Sequence, residues 1–206
     1  MDEMKPNVGE EIAACLDEAV VTAEPQNRRC PPGATEWTFA DWFGEDLTGK
    51  TYEGDLRCYG YGAGVTSLKG APKKVVGNFD CSCNRLDSLE GGPEEVTGSY
   101  DCYGCGLHSL KGAPKKVGGW FDCNWNELDS LEGGPEEVGG NYFCVHCGLR
   151  SLEGAPKQVG GDFVCWDNRL ESLEGLGEVR GHGPVVCHEN ARSEEELLAG
   201  WKASAK

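Results

Sequence analysis

The sequence predicts a repeat solenoid: a parallel β stack of about seven rungs, an extended or 3-10 outer side, and a short helical cap at each end. Three observations carry this. A cysteine recurs at Cys58, Cys81, Cys102, Cys123, Cys144, Cys165 and Cys187, with an even central spacing that lengthens slightly at both ends. A fixed period of about 21 residues marks stacked repeats. Two residues before each of these stands Leu56, Phe79, Tyr100, Phe121, Tyr142, Phe163 or Val185. Apolar residues at alternate positions describe a strand with one face inward. A second period, twice as long, overlies the first: Lys69-Gly-Ala-Pro-Lys-Lys74, Glu90-Gly-Gly-Pro-Glu-Glu95, Lys111-Gly-Ala-Pro-Lys-Lys116, Glu132-Gly-Gly-Pro-Glu-Glu137.

Residues 1–53 form the predicted N-terminal cap. Ile12, Leu16 and Val20 recur every fourth residue, which predicts a short helix within residues 1–27. Residues 24–34 are rich in Pro and Gly and read as a loop. Trp37, Phe39, Trp42 and Phe43 then cluster, and Thr38 with Asp41 has the spacing of a capping box. A solenoid must cover its first rung, so this aromatic cluster is expected to plug the open end.

The solenoid spans residues 54–190. Three residues after the ladder cysteine, Asn84, Cys105, Asn126, Cys147 and Asn168 alternate in step with the Lys and Glu blocks. An inward amide there can donate and accept along the stack, serving turn backbone that would otherwise be buried unpaired. Stacked rungs lie about 4.8 Å apart, so a Lys block always neighbours Glu blocks. Residues 191–206 close the array: Ser193 and Glu196 have capping-box spacing, and Leu197, Leu198 and Trp201 give an apolar face.

The phasing of aromatic, Cys, Asn/Cys and Leu-x-Ser-Leu resembles the leucine-rich repeat, L-x-x-L-x-L-x-x-(N/C)-x-L. It is most similar to the short repeats of bacterial effectors and of bacteriophage and prophage proteins. Aromatic residues and Cys replace the strand leucines, and Gly-Gly-Pro or Gly-Ala-Pro replaces a convex helix. The resemblance implies a module that binds a protein, such as a host protein, and inhibits it.

Composition excludes several other classes. A formal charge of −16 opposes direct binding to a phosphate backbone. It suits solubility, a basic partner, or mimicry of a nucleic acid's charge, and a mimic that blocks a DNA- or RNA-binding enzyme is the alternative function. A structural or self-assembling module is a third. The start Met1-Asp-Glu-Met-Lys-Pro has no apolar core of a signal peptide, and no apolar run is long enough to span a membrane. The expectation is a cytoplasmic protein with reduced thiols, no membrane association and a monomeric state. The paired C-x-x-C at Cys102/Cys105 and Cys144/Cys147 has zinc-ligand spacing. The pairs sit two rungs apart, roughly 9.6 Å, too far for one metal, so neither metal nor cofactor is expected. Cys187 lies between His182 and His188, which makes a Cys–His nucleophile pair conceivable. It falls on the inward ladder, and with no P-loop or Gly-x-Ser-x-Gly the chain is not expected to be an enzyme.

Function is therefore sought where the repeat is broken. The neighbours of the ladder cysteines should face outward, and they vary while the inward positions repeat. They give an acidic column, Asp80, Asp101 and Asp122, beside an aromatic and apolar patch of Tyr103, Trp120, Trp125, Phe143, Val145 and Trp166. Exposed aromatics on a rigid sheet are the expected anchors of a protein interface.

Overall fold

A computed structural model describes residues 20, 21, 23, 30, 31, 34–60, 64–180 and 185–204. Each rung contributes two very short strands to two parallel sheets. The first sheet has six strands: Leu56–Arg57, Phe79–Asp80, Tyr100–Asp101, Phe121–Asp122, Tyr142–Phe143 and Phe163–Val164. A bridge from Val164 to Val186 adds the seventh rung. The second has eight: Val20–Val21, Thr51–Glu53, Lys74–Val76, Glu95–Val96, Lys116–Val117, Glu137–Val138, Gln158–Val159 and Glu178–Val179. The chain is thus a parallel β-solenoid, and its outer side is extended enough to pair as a sheet of its own.

The link between the two strands of a rung always holds a glycine (Gly77, Gly98, Gly119, Gly140, Gly161), and in three rungs a pair, Gly118–Gly119, Gly139–Gly140 and Gly160–Gly161. A Cβ on Gly139 would lie 2.2 Å from the Gly118 carbonyl oxygen, and one on Gly160 2.2 Å from that of Gly139. Only glycine lets successive corners approach this closely.

The core runs up the middle as a column of rings. Centroids lie 5.2 Å apart for Phe79–Tyr100, 5.6 Å for Tyr100–Phe121, 5.2 Å for Phe121–Tyr142 and 5.1 Å for Tyr142–Phe163. The ladder cysteines and the repeat leucines are buried beside them. Each ring so buried stabilises by about 1.5–3 kcal/mol relative to exposure.

The doubled period has two packing explanations. The Asn126 amide donates to the carbonyls of Cys102 and Cys123, and its oxygen accepts from the N–H groups of Cys105 and Leu107. Asn168 repeats this with Cys144, Cys165, Cys147 and Leu149. One Asn therefore serves its own rung and the rung before it. The alternate rungs need only a thiol, and Cys105 and Cys147 donate to the carbonyls of Cys81 and Cys123. The second explanation is one of size. The hydroxyls of Tyr100 and Tyr142 are buried without a hydrogen-bond partner among the described residues. They point at the Gly-Gly-Pro corner. There a Cβ on Gly92 would meet Leu68 Cδ1 at 2.9 Å and the Leu89 carbonyl at 3.0 Å before the Tyr100 oxygen at 3.4 Å. One on Gly134 would meet Leu110 Cδ1 and the Leu131 carbonyl at 3.0 Å before the Tyr142 oxygen at 3.6 Å. The corners preceding Phe79, Phe121 and Phe163 carry Ala71, Ala113 and Ala155. Tyr pairs with Gly and Phe pairs with Ala, keeping the filled volume constant.

The Lys and Glu blocks stack as expected. Lys74 pairs with Glu95 at 2.9 Å, Lys116 with Glu137 at 2.6 Å and Lys111 with Glu90 at 2.9 Å, and Lys157 meets Glu136. These pairs are exposed, so they specify which rung follows which more than they stabilise.

Both caps are present. Helix α1, Phe39–Phe43, starts with a complete Thr38–Asp41 capping box and ends at Gly44, whose φ is 97°. Phe39 packs on Phe79 at 6.4 Å, so α1 plugs the ring column. Helix α2, Glu194–Ser204, has the Ser193–Glu196 capping box, and Leu197 is buried. One expectation is overturned. Val20, assigned to a helical stripe, joins Val21 in a strand paired with Thr51 and Tyr52, because the open edge of Thr51–Glu53 offers ladder hydrogen bonds. The remainder of the expected helix lies outside the described residues.

Candidate functional site

The outward face of the six-stranded sheet is built from four columns of residues, each with its own local chemistry. The column one before each ladder cysteine runs Asp80, Asp101, Asp122, Phe143, Val164. These residues are half-buried rather than solvated. Each Asp oxygen accepts the N–H two residues on: Ser82 for Asp80, Tyr103 for Asp101, Asn124 for Asp122. Burial pushes the Asp101 carboxyl up, with Asp80 adding to it. Burial pushes Asp122 up to about 6, with Asp101 adding to it. The stack therefore holds like charges one rung apart at a free-energy cost.

The column three before the cysteine hides a ladder the sequence did not announce. The Asp55 oxygen accepts the N–H of Asn78, Asn78 accepts that of Ser99, and Ser99 accepts that of Trp120. Asn141 resumes it by accepting from Asp162. Trp120 has no side-chain oxygen, so the relay stops there. Its indole stands 39% exposed instead.

The column one after the cysteine holds Tyr59, Ser82, Tyr103, Asn124, Val145, Trp166 and His188. Tyr103 is exposed, and Trp166 is half-buried with its ring stacked on His188 at 5.2 Å. Val145 does not join the exposed patch, as its side chain is only 6% exposed. Its N–H donates to the Asn124 oxygen, and the larger side chains of Asn124 and Trp166 flank it in the column.

The column two after the cysteine carries the clearest mark. Cys83, Trp125, His146, Asp167 and Glu189 all have φ between 53° and 56°, and Gly104 at the same place has 60°. Their N–H groups donate to the next rung, Trp125 to Val145 and Asp167 to His188, which fixes the turn. A side chain in this region costs about 1–2 kcal/mol, and Gly104 shows that glycine would avoid that cost. Trp125 is nonetheless 54% exposed. Its ring stacks on His146 at 4.1 Å, and His146 Nδ1 lies 2.6 Å from Asp167 Oδ2. Trp125, His146 and Asp167 line a shallow groove of about 660 Å³ that Arg150 and Arg169 also border.

Chemistry at the cysteines is muted. Burial pushes the ladder thiols up, Cys187 to about 11, which holds them protonated and poor as nucleophiles. All described cysteines are free thiols. Among the described residues no group of three or more His, Cys, Asp or Glu is placed to hold a metal ion. No described helix is long and apolar enough to cross a membrane.

The face thus gathers Asp80, Asp101, Asp122, Tyr103, Phe143, Trp120 and Trp166 on one sheet, sets Trp125 on the turn beside it, and withdraws Val145. The left-handed turn was the feature sequence reading missed. Gly104 standing in register with Trp125 was its available signal. No protein-family model matches the chain, and no curated protein and no solved structure shows significant similarity to it.

Proposed function

We propose that the chain is a non-enzymatic protein-binding module that holds a partner against the outer face of its six-stranded sheet. The observation that carries this is Trp125: a half-exposed indole kept in a backbone conformation that favours glycine, and braced by His146. Strain of this kind persists where a side chain is needed for a task other than folding. Trp120, which ends a hydrogen-bond relay to stand exposed, supports the same reading. Rigid aromatics with few rotatable bonds are the usual anchors of interfaces. The carboxylate stack beside them suits a partner with basic groups opposite the aromatics. The repeat phasing that resembles phage and effector proteins makes a host protein, inhibited by occupancy, the proposed target, with the cytoplasm as the compartment.

The test is capture of the partner by the wild-type chain and by a Trp120→Ala, Trp125→Ala, Trp166→Ala triple variant. Loss of the captured protein with an unchanged circular dichroism spectrum is expected. Undiminished capture places the interface elsewhere. Capture that DNA competes away steeply with salt instead favours mimicry of nucleic acid.

A further inference from the structure

We infer that the C-terminal edge of the eight-stranded sheet is a second docking site, which takes one extended, lysine-bearing strand from a partner protein in parallel register. Among the described residues the sheet ends at Glu178–Val179, which pairs there only with Gln158–Val159. Lys157 and Val159 accept hydrogen bonds from the N–H groups of Glu178 and Arg180. The carbonyls in register one rung later, those of Gly177 and Val179, receive none from any described residue. A parallel strand laid on this edge supplies those donors.

The side chains along this edge lack a neighbour too. The valine column is 0% exposed at Val75, 1% at Val96, 2% at Val117, 3% at Val138 and 0% at Val159, because each is covered by the next rung. Val179 is half-buried. Beside it opens a cavity of about 710 Å³ between the last rung and α2, floored by Leu173, Leu176, Val179 and Trp201.

Charge identifies the occupant. The register column reads Lys74, Glu95, Lys116, Glu137, Gln158, Glu178. Basic and acidic rungs alternate as far as Glu137, each Glu taking a Lys from a neighbouring rung, so a basic residue is the complement that Glu178 at the open edge would take. Glu178 meets Arg180 of its own strand at 3.0 Å. The cavity lining carries Glu171, Glu174, Glu178 and Glu196 against Arg192, with Glu171 and Glu174 in no ion pair with a described residue, so the site stays net acidic. The chain shows the same kind of addition at the opposite edge, where the Val20–Val21 segment pairs onto Thr51–Tyr52 from outside the repeat array. A second copy does not fit, since its own basic rungs are stacked inside its solenoid on both sides. The occupant is therefore a segment of another protein, with Lys followed by a β-branched residue.

The chain's own rungs supply the probes. Acetylated Lys-Gly-Ala-Pro-Lys-Lys-Val-Gly-Gly, the sequence of residues 111–119, is titrated against the full chain, with Glu-Gly-Gly-Pro-Glu-Glu-Val-Gly-Gly, residues 132–140, as its acidic counterpart. Amide NMR shifts locate the binding. Saturable binding of the Lys peptide with shifts centred on Glu178–Val179 is expected, and the Glu peptide binds about fivefold to thirtyfold more weakly. Glu178→Lys narrows or reverses that preference. Replacing the Gly that follows the peptide's Val by Pro removes the N–H that, like that of Gly118 on Val96 and Arg180 on Val159, would donate to the Val179 carbonyl, and abolishes binding. The inference is overturned if the Lys peptide does not bind, if the Pro version binds as well, or if the shifts spread over the acidic surface. The three tryptophans of the strand face are not involved, so their alanine variants leave this titration unchanged whether or not the strand face binds a partner.

Discussion

Replacing Asp122 by Asn removes a charge that the fold holds against burial and against Asp101. An unfolded aspartate titrates near 3.9, whereas Asp122 in the fold is raised to about 6. Between those two pH values the native chain binds more protons than the unfolded one, so stability falls as pH rises. Well below pH 4 both forms are protonated and the penalty is absent. Above pH 6 it is complete, and the rise in the Asp122 midpoint sets an upper limit of about 3 kcal/mol. The Asn side chain keeps the oxygen that accepts the Asn124 N–H, so the turn itself is preserved. Urea denaturation at pH 3, 6 and 8 is the assay. Asp122→Asn should match wild type at pH 3 and gain about 1–3 kcal/mol by pH 8. Asp101→Asn should lower the Asp122 midpoint by removing its charged neighbour. An Asn variant that is no more stable than wild type at pH 8, or that differs from it equally at pH 3 and pH 8, refutes the reasoning.

Other expectations follow from the two packing rules and from the charge stack. Asn126→Ala should destabilise by at least about 3 kcal/mol in chemical denaturation, because it strands four buried backbone groups. Cys105→Ala, which removes one thiol donor to Cys81, should cost only about 1 kcal/mol. Gly92→Ala should destabilise, mainly through Leu68 Cδ1 at 2.9 Å and the Leu89 carbonyl at 3.0 Å, and Tyr100→Phe in the same chain should restore the smaller share owed to the hydroxyl at 3.4 Å. A double-mutant cycle should give a coupling of about 0.5–3 kcal/mol, and additivity would remove the size-matching explanation. If the Asp stack faces basic groups of a partner, binding should release protons, and calorimetry near pH 6 in buffers of different ionisation enthalpy should detect it.

Much of this molecule was legible in its sequence because a solenoid repeats its rules. The inward ladder of Phe79, Cys81 and their equivalents follows from spacing alone, and so does the pairing of Lys74 with Glu95. The capping boxes at Thr38 and Ser193 were readable because they are local. What the sequence hid depends on contacts between rungs. The Lys-Val and Glu-Val segments form a sheet of their own because neighbouring copies pair, which no single copy reveals. Val20 reads as helical beside Leu16, yet an open strand edge takes it. Val145 carries an outward register but is shaded by Asn124 and Trp166. The role of Trp125 was visible only in part: its aromatic ring stood out from the repeat, but its left-handed backbone did not.

The central claim is that Trp125 is kept for binding and not for folding. Trp125→Gly separates the two, because glycine suits the backbone of that turn, as it does at Gly104. The variant is measured for stability and for affinity to the captured partner. Stability within about 1 kcal/mol of wild type, together with an affinity loss of about 2 kcal/mol or more, is the predicted result. A marked loss of stability with affinity unchanged contradicts the account.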